Sequence, residues 1–231
     1  MIKKRELVIV GGGPAGMAAA LAAFKYGVRD ILLLERSRCL GGMLNQCIHT
    51  GFGLEYFNAV LTGPEYAERF LDKIRKIEEI EVRTGAFVTG LNADKVVTVL
   101  REGMLERIKA RALIMATGCR ERTREMVHVP GDRPAGVFSA GFAQQLINCE
   151  GLLPGKEAVI VGSGDIGMIM ARRLVLEGMA VKGIVELQGH SRGLVRNFVQ
   201  CVKDFDIPLY FRHKVVAIKG RRRVEKVVLC K

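Results

Sequence analysis

Two short stretches of this 231-residue chain carry residue types whose spacing points to chemistry: VIVGGGPAGM at Val8–Met17 and VIVGSGDIGM at Val159–Met168. Each sets three glycines as Gly-x-Gly-x-x-Gly, at Gly11, Gly13 and Gly16 in the first and at Gly162, Gly164 and Gly167 in the second. Between a strand and a helix, the first glycine makes a tight turn. The second lets the backbone approach a pyrophosphate, and the third lets the helix lie close on the strand. Pro14 and Ala15 in one motif, and Asp165 and Ile166 in the other, open the helix whose free N–H groups and partial positive charge attract phosphate. Each first glycine is followed 24 residues on by a glutamate, Glu35 and Glu186, placed to accept hydrogen bonds from a ribose. One such motif is weak evidence. Two, each with its acid, point to two dinucleotide sites in one chain and to electron transfer from one dinucleotide to the other.

The elements that must hold these residues repeat with them. Leu7–Glu35 lies without a gap on Ala158–Glu186, and ten of those 29 pairs are identical. So long a period is no solenoid; it is one supersecondary unit used twice. The pattern predicts β-α-β over Leu7–Val10, Pro14–Tyr26 and Ile31–Leu34, and again over Val159–Val161, Asp165–Glu177 and Val181–Leu187. Each is a parallel strand pair with a right-handed crossover. Ser37–Leu54 reads as glycine-rich loop, and Pro64–Glu79 as a helix with Ala67, Phe70, Leu71, Ile74 and Ile77 on one face. Strands are expected at Glu81–Val88, Val96–Leu100 and Arg107–Met115, with a turn at Glu102-Gly103, and a helix at Ser139–Asn148. A helix over Leu194–Asp204 and strands near Leu209–Val216 and Val224–Cys230 follow. Leu153–Glu157, LPGKE, reads as a linker, which sets the domains at 1–152 and 153–231. The fold class is α/β, two Rossmann-like βαβ dinucleotide-binding units.

Composition narrows the partners. Apolar residues make up 49% of the chain, enough for a real core. No window approaches the ~20 apolar residues of a membrane span. The N-terminal residues lack a signal-peptide cleavage region, so the expected location is cytoplasmic. The formal charge of +12, to which Arg120, Arg122, Arg124 and Arg221–Arg223 contribute, raises an anionic partner such as nucleic acid. No nucleic-acid module or aromatic interleaving accompanies it, so the charge reads as solvated surface and no nucleic acid is expected. The six cysteines, at 39, 47, 119, 149, 201 and 230, form no CxxC and no zinc spacing. They read as reduced thiols, with no metal site.

Tandem motifs of this kind resemble the two-dinucleotide-domain flavoproteins, the glutathione-reductase-like superfamily of pyridine nucleotide–disulfide oxidoreductases, over nearly all of Leu7–Cys230. The resemblance implies FAD at the first motif and NAD(P)H at the second. It places Arg36 beside Glu35 at the FAD site, with Gly42 and Met43 in the flavin loop. Ala116-Thr117-Gly118 resembles the family's strand-end motif beside the flavin nucleotide. Ala86–Val88 resembles the segment whose backbone pairs with adenine, with Val88 the single best residue. The stretches LGGMLNQCIHTGFGL, GDRPAGVFSAGFAQQLIN, GSGDIGMIMARRL and VRNFVQCVKDFDIPLY resemble a bacterial subgroup of FAD/NAD-dependent oxidoreductases encoded with anaerobic glycerol-3-phosphate dehydrogenases. More distantly they resemble amine and opine dehydrogenase subunits.

Two departures from the superfamily bear on mechanism. Its disulfide reductases carry CxxxxC just after the Gly-Gly of the flavin loop. Here Gly41-Gly42 is followed by one cysteine, Cys47, and preceded by Cys39, so no dithiol relay is expected. Cys47 reads either as a thiolate facing the flavin or as a packing cysteine, and His49 either as an acid/base group or as a structural polar residue. The family's C-terminal segment, with its strand-end Gly-Asp, has no counterpart here, since Gly131-Asp132 and Gly164-Asp165 belong to other motifs. The second unit therefore reads as incomplete, either truncated or completed by a partner. The expected function is an FAD-dependent oxidoreductase passing electrons between NADH and flavin, and on to a small molecule or a partner subunit of a hetero-oligomer. The alternative is a non-catalytic nucleotide-binding subunit or remnant that scaffolds a partner. Glu186, with no arginine directly after it, predicts NADH over NADPH.

Overall fold

Four consecutive apolar residues, Leu7–Val10, end the strand on which the first unit is built. In the computed structural model, which describes Ile2–Lys231, this strand is β1 (Lys3–Val10). It leads through α1 (Pro14–Lys25) to β2 (Ile31–Leu34). One turn of 3₁₀ helix at Gly42–Gln46 precedes β3 (Thr50–Phe52), α2 (Leu54–Phe57), β4 (Leu61–Thr62) and α3 (Gly63–Ile74). The unit closes with β5 (Ile80–Arg83), β6 (Phe87–Leu91), β7 (Val96–Arg101) and β8 (Met104–Met115). The sheet order is β5-β2-β1-β8-β7-β6. The first four strands run parallel, and β8, β7 and β6 form an antiparallel meander. β8 belongs to both parts. Its first half pairs antiparallel with β7, and its second half runs parallel to β1.

Both faces of the parallel sheet are covered, which is why β1 and β2 read as unbroken apolar runs rather than alternating ones. Ile9 and Leu33 pack with Met17 and Ala20 of α1 and with Ala67, Phe70 and Ile74 of α3. Val8, Val10, Leu32 and Leu34 pack on the other side with Val97, Val99 and Ile108 of the meander. Thr62 and Glu65 form a reciprocal capping box at the start of α3, satisfying two orphan N–H groups. The helix ends at Ile74, short of the expected Glu79, because Ile77 and Ile80 donate to the carbonyls three residues back and tighten the chain into β5. The expected strand Glu81–Val88 is two strands. Gly85 takes a positive φ of 63° and turns the chain from β5 into β6.

The second unit runs from Arg120 to Lys231. It contains α4 (Ala140–Asn148), β9 (Glu157–Val161), α5 (Asp165–Leu176), β10 (Ala180–Glu186), α6 (Val195–Cys201), β11 (Leu209–Phe211), β12 (Lys214–Lys219) and β13 (Lys226–Cys230). β11, β10 and β9 form a parallel sheet in that order, and β12 and β13 a hairpin. The compact units divide at Cys119/Arg120, not at the 152/153 boundary read from the sequence. The reason is local. Gly131 and Ala135 bridge to Ile218 and Arg223, and Ile147 of α4 is buried with Met170 and Leu174 of α5. LPGKE leads into β9 and joins no domains.

The two units differ at one edge. β1 is flanked by β2 and β8, whereas β9 pairs with β10 alone among the described residues. Val8 and Val10 are 0% and 7% exposed, while Val159 and Val161, their counterparts in the repeat, are 37% and 58% exposed.

Candidate functional site: two glycine cradles, each with a buried glutamate

In both units the chain leaves the first strand at a glycine of positive φ, Gly11 at 107° and Gly162 at 98°. Their N–H groups donate to carbonyls at the ends of the neighbouring strands, those of Leu34 and Val185, each at 2.8 Å. The middle glycines, Gly13 and Gly164, sit at the helix N-caps in extended backbone. Helices α3 and α4 are capped by the side chains of Thr62 and Ser139, but α1 and α5 receive no side-chain cap. Their first N–H groups are left for an acceptor from outside the helix. A Cβ on Gly13 would come no closer than 3.9 Å to Gly42 Cα, and one on Gly164 would meet nothing within 4 Å. Both middle glycines therefore line open space, while Gly11, Gly16 and Gly167 do not. A Cβ on Gly16 would collide with the Gly11 carbonyl, and one on Gly11 with the Ala116 carbonyl. Gly167 faces the Gly162 carbonyl in the same way. The open middle position and closed third position are what a pyrophosphate cradle needs.

Each cradle has a buried carboxylate beside it. Glu35 accepts hydrogen bonds from Gly12 N–H at 2.6 Å and Ser37 N–H at 2.8 Å. Glu186 accepts from Ser163 N–H at 2.9 Å, from the Ser163 hydroxyl at 2.7 Å and from Gln188 N–H at 2.8 Å. Burial opposes the charge on Glu186. The donors at Gln188 and Ser163, with the positive charge of Arg192, outweigh it and hold the carboxyl below its ordinary range.

The first unit brings Gly11, Gly13, Gly16, Glu35 and Gly42 together with the strand end Ala116–Gly118; Ala116 N–H donates to the Val10 carbonyl at 2.8 Å. Pro14 and Ala15 are exposed at the mouth of α1, and Arg36 and Met43 are exposed nearby in sequence. Val88 does not end a strand. It lies inside β6, opposite Val99, because the turn at Gly85 moves the strand break ahead of it. The residue of that segment tied to Glu35 is Ala86, whose N–H donates to the Glu35 carbonyl at 2.9 Å. In the second unit Gly162, Gly164, Gly167 and Glu186 converge, and Ile166 is exposed on α5. Asp165 opens α5, but its carboxylate is taken by Leu194 N–H at 2.8 Å and Asn197 Nδ2 at 2.7 Å, so it anchors the start of α6.

Cys47 is buried. Its carbonyl accepts from Gly63 N–H at 2.8 Å, and a Cβ on Gly63 would lie 2.9 Å from its own Cβ. It is packed against the start of α3. The His49 ring lies 5.4 Å from that of Phe52; its Nδ1 is 3.1 Å from the Thr50 carbonyl, and its buried Nε2 has no hydrogen-bond partner among the described residues. The residues between the first two glycines, Gly12 and Ser163, are not singled out by the motif, although both hold a glutamate. The one signal in the sequence is that this position differs between the two motifs, as do the two positions after the second glycine.

The family model for pyridine nucleotide-disulphide oxidoreductases matches residues 5–231. The chain belongs to that family. Subunit HcnB of hydrogen cyanide synthase from Pseudomonas protegens is 34% identical over 78% of this chain and 38% of its own length. An opine oxidase subunit from Agrobacterium tumefaciens is 30% identical over 82% and 38%. The chain thus spans under two fifths of these relatives. Among solved structures, the bacillithiol disulfide reductase of Bacillus cereus superposes with a TM-score of 0.71 at 20% identity, over 99% of this chain and 75% of that one. The thioredoxin reductase of Lactococcus lactis gives 0.67 at 21% identity, over 97% and 70%. These two share the α/β fold of this family member. No described helix is long and apolar enough to cross a membrane.

The closed third glycine gives a first test. Gly16→Ala should cost about 1–3 kcal/mol or more by overpacking α1 against the Gly11 carbonyl. Thermal denaturation followed by circular dichroism should show a lowered melting temperature; an unchanged one would mean that α1 does not lie this close to β1.

Proposed function

We propose that this chain is the nucleotide-binding part of an FAD-dependent oxidoreductase that takes electrons from NADH and works with a partner subunit. The observation that carries this reading is the repeated cradle, an uncapped helix behind an open glycine with a buried glutamate beside it. FAD is assigned to Gly11–Gly16, Glu35 and the Ala116–Gly118 strand end, and NADH to Gly162–Gly167 and Glu186. When bound, FAD supplies hydride acceptance and onward electron transfer. The chain's part is to hold each pyrophosphate on a helix N-terminus and each ribose on a carboxylate. Cys47, packed against α3, is not asked to act as one half of a dithiol relay. Electrons then leave to a small molecule or to a partner subunit. The relatives named as subunits of hydrogen cyanide synthase and opine oxidase support an assembly of this kind. The resemblance to oxidoreductases encoded with anaerobic glycerol-3-phosphate dehydrogenases makes such a dehydrogenase a candidate partner, and the cytoplasm the place of action.

The visible spectrum of the purified protein tests the reading. Yellow protein with flavin absorption, bleached on adding NADH without oxygen, is the expected result. Colourless protein that takes up no added FAD but binds nucleotide would support the second reading, a non-catalytic nucleotide-binding subunit.

A further inference from the structure

The two halves of the repeat set up an internal comparison at the position between the first two glycines. In the first unit it is Gly12. A Cβ there would collide with Leu40 and press on Glu35. In the second unit the matching residue is Ser163, fully buried, with its hydroxyl donating to Glu186 Oε2 at 2.7 Å. Arg192 N–H donates to Ser163 Oγ at 3.2 Å, and Gly193 N–H to the Ser163 carbonyl at 3.1 Å.

The consequence lies in what each glutamate has left to offer. An ionised carboxylate accepts about four hydrogen bonds, two per oxygen. Glu35 receives one protein donor on each oxygen, Gly12 N–H on Oε2 and Ser37 N–H on Oε1. One acceptor position therefore remains on each, enough for both hydroxyls of a ribose. Glu186 receives Gln188 N–H on Oε1, but both Ser163 N–H and the Ser163 hydroxyl on Oε2. Oε2 is filled by the chain itself. One acceptor position remains, on Oε1. Glu186 therefore cannot take both ribose hydroxyls, although its spacing in the sequence matches that of Glu35.

We propose that Ser163 sets the strength of the second nucleotide site, its hydroxyl filling Oε2 of Glu186 so that this carboxylate can accept from one ribose hydroxyl and not two. Ser163 is then an affinity-determining residue that acts through Glu186. It makes the second site intrinsically weaker toward ribose than the first, which suits a nucleotide that must leave after each turnover. The inference rests on the assignment of a nicotinamide dinucleotide to the second site.

The test uses the full chain saturated with FAD, so that the first cradle is occupied, and ADP-ribose, with its 2′-deoxy and 3′-deoxy forms on the adenosine ribose, in calorimetric titrations. In the unaltered protein one deoxy form should bind within about twofold of ADP-ribose, because one hydroxyl has no acceptor. Ser163→Ala keeps the Cβ and frees Oε2. It should bind ADP-ribose at least about tenfold tighter, the size of one hydrogen bond to a charged acceptor. Both deoxy forms should then lose that gain. Equal weakening by both deoxy forms in the unaltered protein would overturn the inference without reference to any variant. So would a folded Ser163→Ala, with its melting temperature kept, that binds no tighter. Gly164→Val separates this failure from that of the underlying assignment. If ADP-ribose binding survives it, the nucleotide is not at this cradle and the assignment fails. If binding is lost while Ser163→Ala changes nothing, only the role of Ser163 fails.

Discussion

Gly13→Val should leave the chain folded and remove its flavin. Gly13 has φ −75° and ψ −173°, extended backbone that valine adopts freely. A Cβ there meets nothing closer than 3.9 Å, so the protein itself has room for it. The space it fills is the mouth of α1, where uncapped N–H groups await an anion. A branched side chain would hold a pyrophosphate away from those donors. Losing two or three charge-assisted hydrogen bonds, at about 1.5–3 kcal/mol each, weakens binding by at least about a hundredfold. Flavin released by heat and read by fluorescence should fall to background, while far-ultraviolet circular dichroism and the melting temperature of the protein stripped of flavin stay as they were. A variant with full flavin content would show that the first cradle does not hold FAD. The contrast with Gly16→Ala is informative: two glycines three residues apart in one motif should fail for opposite reasons, one by emptying the site and the other by loosening the fold.

Why the sequence disclosed so much of this site, and missed what it missed, follows from the physics of each position. Gly11, Gly16, Gly162 and Gly167 were legible because backbone lies where their side chains would be or because their φ is positive, and only glycine answers either demand. The strands Leu7–Val10 and Ile31–Leu34 were legible because a sheet covered on both faces writes an unbroken apolar run. Val88 was misplaced because Glu81–Val88 contains only one break, Gly85, and a single glycine in a strand pattern reads equally as a bulge. The domain boundary was misplaced for a different reason. Leu153–Glu157 has the composition of a linker, but what joins Arg120–Leu152 to the second unit is pairing and packing with residues about 20 to 90 positions away, and these leave no local mark. The Ser163 hydroxyl belongs to the same class, since its partner lies 23 residues on and the motif tolerates glycine or serine there alike.

NADH should bind at least about tenfold tighter than NADPH. Glu186 is buried at the end of β10 beside the open cradle of Gly164, and its carboxylate carries its charge throughout the physiological range. A 2′-phosphate brought to that oxygen would place two like charges close together, a cost of about 1 kcal/mol or more at the effective dielectric of a partly exposed site. Arg192 lies six residues on, and its charge already acts on Glu186, so it is not left to serve a phosphate alone. The pH dependence follows from the same shift. A carboxyl held below its ordinary range stays ionised as pH falls to about 4.3, the unfolded value, and its stabilising contribution is lost only below that, through its folded-state pKa. The carboxylate half of the discrimination should therefore be flat from neutrality down to about pH 5. Any earlier narrowing would come from the 2′-phosphate, which gains a proton near about pH 6. Glu186→Gln removes the charge and keeps the shape. It should narrow the gap mainly by weakening NADH, since the amide accepts more poorly and its NH₂ faces the donors of Ser163 and Gln188. Titrating the protein and Glu186→Gln with both nucleotides at about pH 7 and about pH 5 decides it (about one unit either side of the phosphate transition). Equal affinities, or a preference for NADPH that Glu186→Gln leaves unchanged, would mean that Glu186 does not face the ribose.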